Sequence, residues 1–248
     1  MRKYVHNRET HNLNAPKEIV PFIMELFNPK SVIDVGCGLG SWLHVFRENG
    51  VKTIFGIDGP HLENSLLYIE DNLILRQDLE SEITINKKFD LAISLEVAEH
   101  LGENSSDIFI KSLTRLSDKI IFSAAIPNQI GGQNHLNEQW PDYWQQKFNN
   151  LGFSCKDVFR EKFWGNTKIE WWYQQNIFLA FKSDKASFNS DNTNIRSYIH
   201  PDLYKSAILK IENLHAGKIE FNIALNIFTK SIFYSLRVLL KTILKTYK

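Results

Sequence analysis

The stretch from residue 31 to residue 50 limits the folds open to this chain more than any other. It reads Ser31-Val32-Ile33-Asp34-Val35, then Gly36-Cys37-Gly38-Leu39-Gly40, then Ser41 to Asn49 with Gly50 as the stop. A short apolar run, three alternating glycines and a helical pattern spell strand, turn and helix. Such a turn lets a ligand come close to the backbone, because no Cβ stands in between. The same glycines also serve simply to let a strand and a helix pack.

The alternation repeats along the chain. Asn14 is a candidate cap for a first helix with Pro16 in its first turn, running to Phe27 and closed by Asn28-Pro29. Further strands are expected over 53–58, 72–75, 89–94 and 119–126. Each is too short for a buried helix, and most are separated by helical patterns, which argues for parallel strands covered on both faces. Two later runs, 154–159 and 176–181, follow one another without a clear helix between them and suit an antiparallel pair at the sheet edge. The expected fold is α/β: a Rossmann-like, seven-stranded, mostly parallel sheet with helices on both faces, plus a C-terminal helical appendage. The domain boundaries follow composition: a catalytic domain over 1–182, a polar linker over 183–200 and the appendage over 201–248.

Spacing and charge narrow the ligand. The dinucleotide fingerprint requires glycine at position 41, where Ser41 stands. Asp34, at the end of the first strand, repels a pyrophosphate and attracts the ammonium of a methionine moiety. Asp58 ends the second strand, where a carboxylate can accept hydrogen bonds from both ribose hydroxyls. After the third, Asp78-Leu79 offers a carboxylate for an adenine amino group and an apolar side chain for the ring face. Taken singly, each aspartate is as readily a surface carboxylate or helix cap.

Together, VIDVGCGLGSW at 32–42, GID at 56–58, QDLE at 77–80 and FDLAISLEVAEHL at 89–101 resemble the ordered motifs of class I methyltransferases, over roughly residues 17 to 182. The resemblance implies S-adenosylmethionine above the carboxyl ends of the strands. It puts Gly36, Cys37, Gly38 and Gly40 by the methionine portion, Asp58 at the ribose and Asp78 at the adenine, with Ser94, Leu95 and Glu96 lining the cofactor.

Methyl transfer to a hydroxyl needs alignment of donor and acceptor and removal of a proton. His135, after the fifth strand and the Gly131-Gly132 pair, is the first candidate base, and His100 in Glu96-Val97-Ala98-Glu99-His100 the second. Either is also readily a loop histidine bonded to backbone, and Glu99 either orients His100 or faces solvent. Asn134, Trp140, Tyr143, Trp171, Trp172 and Tyr173 are candidate substrate contacts, since aromatic faces suit sugar rings and amides suit hydroxyls. Core packing accounts for such aromatics equally well. The segments GGQNHLNEQWPDYWQQKF and EWWYQQNIFLAF resemble bacterial methyltransferases of surface-glycan and related metabolite pathways. No metal site is expected, because Asp142, His135 and Glu170 lack diagnostic spacing.

The expected activity is therefore O-methylation of a saccharide or related polar metabolite. The rivals are N- or C-methylation of another small molecule and a silent nucleoside-binding scaffold. From Phe221 to Lys248 a polar stripe of Asn222, Asn226, Lys230, Arg237, Lys241, Lys245 and Lys248 borders a broad apolar face, with no acidic residue after Glu220. That suits a helix lying in a membrane surface, or one packed on the catalytic domain or on a second copy in a homodimer. Overall charge is balanced, 29 Lys plus Arg against 28 Asp plus Glu, so any electrostatic partner must be read from a local patch. The one concentrated basic surface, the terminal stripe, is interleaved with too much aliphatic residue for a phosphate-tracking groove, which makes nucleic acid not an expected partner and a nucleic-acid methyltransferase a weaker third reading. The opening residues lack a signal-like apolar run and cysteines are few, which fits a reducing cytoplasmic setting, at the inner membrane face if the terminal helix binds lipid.

Overall fold

A computed structural model describes residues 5–129, 132–183, 194–218 and 220–246; of residues 239 and 241–246 it describes the backbone only. The chain forms two compact units, Met1–His200 and Pro201–Lys248.

The first unit is built on seven strands: β1 (Ser31–Val35), β2 (Thr53–Asp58), β3 (Ile74–Arg76), β4 (Leu91–Leu95), β5 (Lys119–Ser123), β6 (Phe153–Lys156) and β7 (Phe178–Lys182). Their spatial order is β3-β2-β1-β4-β5-β7-β6. The first five are parallel, and β7 runs antiparallel to both β5 and β6. Chain order departs from β1 in opposite directions, toward β2 on one side and β4 on the other. A crevice outside the carboxyl ends of β1 and β4 follows from that switch.

Period-two alternation splits the apolar residues between two cores. Val32, Ile93, Ile121 and Leu179 face one side, while Ile33, Ala92, Ile120, Phe122, Phe178 and Ala180 face the other. Helices α1 (Asn14–Phe27) and α2 (Ser41–Glu48) contribute Ile19, Ile23, Leu43 and Phe46 to the first; α3 (Ser106–Leu116) and α4 (Pro141–Asn150) contribute Phe109, Ile110, Trp144 and Phe148 to the second. Both cysteines are buried thiols.

Three sequence expectations need correction. Asn14 does not cap α1: Leu13 occupies that position, and Asn12 Oδ1 accepts the Asn14 N–H at 2.7 Å. Asn28 does close the helix, in the left-handed region at φ +41°. The runs forming β6 and β7 are separated by two short helices, α5 (Arg160–Phe163) and α6 (Trp171–Asn176), too brief to show a helical period. Of the expected linker, residues 184–193 lie outside those described, but 194–200 are bound to the first unit. Ile195 is buried and donates its N–H to Gln145 Oε1, His200 N–H donates to Gln175 Oε1, and the buried Arg160 donates to the Arg196 carbonyl and lies 4.4 Å from the centre of the Tyr198 ring. Long-range amide and guanidinium partners hold this stretch, and composition carries no trace of them.

The second unit consists of α7 (Pro201–His215) and α8 (Phe221–Thr246). Among the described side chains of α8, Phe221, Phe228, Phe233, Lys230 and Arg237 are exposed. Leu239, Lys241, Ile243, Leu244, Lys245 and Lys248, part of the expected stripe and face, lie outside the described side chains. Among the described residues no helix is long and apolar enough to cross a membrane.

Phe148 is fully buried against the rings of Phe122, Phe153 and Phe178, with centroids 5.4 to 6.3 Å apart. Phe148→Ala is expected to lower stability by about 3–5 kcal/mol through lost burial and the cavity left behind. Denaturant unfolding measures it, and a loss under about 1 kcal/mol would contradict this packing.

Candidate active site

The chain leaves β1 through Gly36, Gly38 and Gly40, whose φ angles are +86°, +51° and +78°. Side-chain-bearing residues rarely adopt such torsions. Space reserves the turn as well: a Cβ on Gly38 would stand 2.6 Å from the His11 ring, and one on Gly40 2.7 Å from Ile69. Gly36 and Cys37 N–H donate to the Ile57 carbonyl of β2. Asp58 completes the join, accepting the Gly38 N–H at Oδ2 and the Gly59 N–H at Oδ1, each at 2.6 Å. The second strand thus holds the turn in shape.

Asp34 is 2% exposed, and its Oδ2 has no hydrogen-bond partner among the described residues. Burial lifts its pKa well above the carboxylate range, and nearby Asp58 adds to the rise. Burial also raises Asp58, against the opposing pull of His6 and the two backbone N–H groups. A buried, under-satisfied carboxylate beside a glycine turn is a receptor for a cationic, hydrogen-bonding ligand. These residues fit the ammonium and ribose of S-adenosylmethionine.

Other residues expected at the cofactor are distributed differently. The Cys37 side chain packs in the first core, where a Cβ on Gly56 would lie 2.7 Å from its sulfur. Leu79 packs in the second core with Ile83 and Phe89. Exposed Asp78 braces its own turn by accepting the Glu80 N–H at 3.0 Å. Ser94 is fully buried, and its hydroxyl has no partner among the described residues; Leu95 packs in the first core.

A strap over residues 5–13 crosses this region. His6 Nδ1 and His11 Nε2 share a hydrogen bond at 3.1 Å, and His6 Nε2 stands 4.0 Å from Asp58 Oδ1. Arg8 donates to the Leu66 carbonyl and lies over the Tyr68 ring, while Asn12 Nδ2 donates to Glu170 Oε1 at 2.7 Å. No local pattern marks these residues, since their partners outside the strap, Asp58, Leu66, Tyr68 and Glu170, lie far along the chain.

Beyond β4, Glu96 adopts φ +55°, an uncommon torsion for this residue. Its N–H donates to the Ser123 carbonyl and hydroxyl, and its carboxylate accepts from Asn176 Nδ2 and Gln129 Nε2. Burial raises its pKa, offset by these hydrogen bonds. Glu99 does not face solvent: it is 1% exposed, and burial raises its carboxyl well above the usual range. His100 and His135 come together, with ring centroids 5.0 Å apart. Burial, then His135, holds His100 down at a pKa of about 4. His135 Nδ1 lies 2.7 Å from Glu138 Oε1, while Glu138 Oε2 accepts the Asn128 N–H at 2.6 Å. A carboxylate only accepts, so Nδ1 is the protonated nitrogen. Gly132 lies against the Nε2 side of the His135 ring, leaving no room for a Cβ; Gly131 lies outside the described residues.

The expected aromatic concentration divides. Tyr143 and the buried Trp144 meet edge to face at the second core, and Trp140 is exposed at the entry to α4. Trp171, Trp172 and Tyr173 form a separate ladder that ends on Trp42. Tyr173 is pushed up by burial, then by Glu96, which puts that ladder beside the end of β4. Asn134, at φ +54°, shapes the loop leading to His135.

A doubly wound seven-stranded sheet, a glycine cradle at its switch point and two strand-end carboxylates define a class I S-adenosylmethionine-dependent methyltransferase. Comparison with known families agrees: residues 4–176 match the model of a methyltransferase domain, and the chain belongs to that family. It is an enzyme that uses S-adenosylmethionine. Among solved structures, it is similar to DesVI of Streptomyces venezuelae, at 10% identity and TM-score 0.52, covering 68% of this chain and 91% of that one. It is also similar to an S-adenosylmethionine-dependent methyltransferase of Clostridium acetobutylicum, at 11% identity and TM-score 0.51, covering 70% and 93%. At these identities the likeness establishes the fold. A comparison with curated proteins finds no match.

Burial, then His6 and His100, depresses the His11 pKa from its ordinary 6.5 to about 4. Between those values an opened strap binds a proton that the closed strap refuses, so closure is full above pH 6.5 and weakens as pH falls toward 4. Amide protection over residues 7–12, corrected for intrinsic exchange, is expected to fall by up to about tenfold per pH unit for one proton. Protection that stays flat across the window would contradict this burial.

Proposed function

We propose that the protein transfers the methyl group of S-adenosylmethionine to a hydroxyl of a saccharide or related polar metabolite, in the making of bacterial surface glycans. The observation that carries this reading is the His135–Glu138 pair, held beside His100 and beyond the ends of β4 and β5.

When bound, S-adenosylmethionine supplies an electrophilic methyl group on a sulfonium centre. Asp34 and the glycine turn hold its amino-acid end, and Asp58 its ribose. On the acceptor side His135 takes the hydroxyl proton at Nε2, the nitrogen opposite the one that Glu138 engages. Glu138 fixes the ring and its tautomer through this hydrogen bond, leaving Nε2 with its lone pair. Trp171, Trp172 and Tyr173 offer ring faces to an apolar sugar face, and Asn134 an amide to its hydroxyls. An amine acceptor would need no such base, which is why the paired histidine favours oxygen over nitrogen.

His135→Ala is expected to lower turnover on a hydroxyl acceptor by about 10²-fold or more, with donor affinity unchanged. Labelled methyl transfer to fractionated cell metabolites, with calorimetry of S-adenosylmethionine, measures both. Unchanged turnover removes His135 from the mechanism.

We further propose that α8 rests on an anionic membrane surface. Its supports are the exposed apolar residues Phe221, Phe228 and Phe233, and a sequence that carries Lys and Arg but no acid after Glu220. The full chain is expected to float with anionic vesicles, and to do so less at high salt, while a chain ending at His200 stays behind. Equal flotation of the two chains contradicts the idea.

A further inference from the structure

Glu99 is an unusual carboxylate for the interior of an enzyme. It is 1% exposed, and its Oε2 has no hydrogen-bond partner among the described residues. Burying an acceptor in that condition is costly unless something outside the chain satisfies it. Hydrogen, as a neutral carboxylic acid, is one answer. A cation is the other, and the neighbours of Glu99 decide between them.

One ligand atom each from Glu99, His100 and His135 lies within 4.8 Å of the others. The convergence is held by the fold rather than by one flexible contact. The Glu99 carbonyl accepts the Leu136 N–H at 2.7 Å and the Asn137 N–H at 3.0 Å, so the turn bearing Glu99 and His100 is clamped to the segment bearing His135. Asn137 is itself buried, and its Nδ2 donates to the Ser106 hydroxyl at 2.9 Å. Behind His135, Glu138 Oε1 accepts the Nδ1–H at 2.7 Å, and its Oε2 accepts the Asn128 N–H at 2.6 Å. A carboxylate behind an imidazole is the usual support of a metal-bound histidine, because it sets the tautomer and strengthens the opposite nitrogen as a donor to metal.

We propose that Glu99, His100 and His135 form a divalent transition-metal site, with Glu138 as the residue that positions His135. Two imidazole nitrogens and one carboxylate oxygen suit Zn²⁺, Mn²⁺ or Fe²⁺ rather than Ca²⁺, which prefers an all-oxygen shell. Metal–ligand bonds of about 2.1 Å mean that the three ligand atoms draw closer together when an ion binds. Three protein ligands leave positions open, as catalytic rather than structural sites do. The role of the open positions rests on the hydroxyl-acceptor reading above: they receive an acceptor hydroxyl and a neighbouring oxygen, so a vicinal diol is the acceptor chemistry that fits. A hydroxyl on a divalent cation ionises near neutral pH and gives its proton to solvent. In the ion-loaded protein the cation thus takes over the acidifying role that the reading above gives to His135 as base, and His135 acts as a ligand; the hydroxyl acceptor is common to both.

The test uses the full chain stripped with chelator and titrated separately with Mn²⁺ and Zn²⁺ by calorimetry, with Mn²⁺ also followed by electron paramagnetic resonance. One ion per chain is expected. Glu99→Gln and His135→Ala should each weaken binding at least about tenfold, and Glu138→Gln by about 10- to 100-fold. S-Adenosylhomocysteine affinity, measured on every variant, reports that the fold and the separate cofactor cradle are intact. The site is overturned if neither ion binds stoichiometrically, or if Glu99→Gln and His135→Ala bind as the parent does. Stoichiometric binding accompanied by methyl transfer to nitrogen acceptors alone supports the site and sinks the hydroxyl reading, so the two failures are distinguishable.

Discussion

The carboxylate of Asp58 is the point on which the donor side depends. Its two oxygens fasten the Gly38 N–H of the glycine turn and the Gly59 N–H beyond β2, so one side chain fixes both rims of the cradle. Charge-assisted hydrogen bonds of this kind are about twice as strong as neutral ones, and here they are shielded from water. Asp34 faces the same turn without equivalent partners. The two aspartates therefore do different work: one builds the cradle, the other keeps a receptor for a cation.

The acceptor side is built by polar contacts between distant segments. Asn176 and Gln129, both side-chain amides, bind the Glu96 carboxylate, and Asn176 also donates to Gln129 Oε1 at 2.9 Å. Gln175 joins the group and takes the His200 N–H on its own oxygen. This network holds Glu96 in its uncommon torsion and binds residues 194–200 to the catalytic unit. Interior amides satisfied on several sides specify one arrangement, since any shift leaves a buried group unpaired.

Much of the frame was legible in the sequence. The motif at 32–42 signals strand, turn and helix, because torsions at Gly36, Gly38 and Gly40 demand glycine and the flanking periods are local. Seven strands, including the antiparallel final pair, follow from short apolar runs. Legibility ended where partners are remote. Leu79 has the right position to face a ring, yet its apolar side chain packs with Ile83 and Phe89. The aromatic residues form two groups because Tyr143 sits on α4 and Trp171 to Tyr173 on α6, a separation that spacing does not reveal. Glu99 was visible as a neighbour of His100, but its burial was not.

What the sequence determines by itself is the α/β frame and the chemistry of the cradle, since backbone torsion, strand period and carboxylate charge are properties of short segments. What only the tertiary structure decides is the company each polar side chain keeps: His6 and His11 over the cradle, Glu138 behind His135, and Glu99 and His100 beside it. Those meetings depend on bringing separate loops of the domain together out of water, and burial exists only once the whole chain has folded.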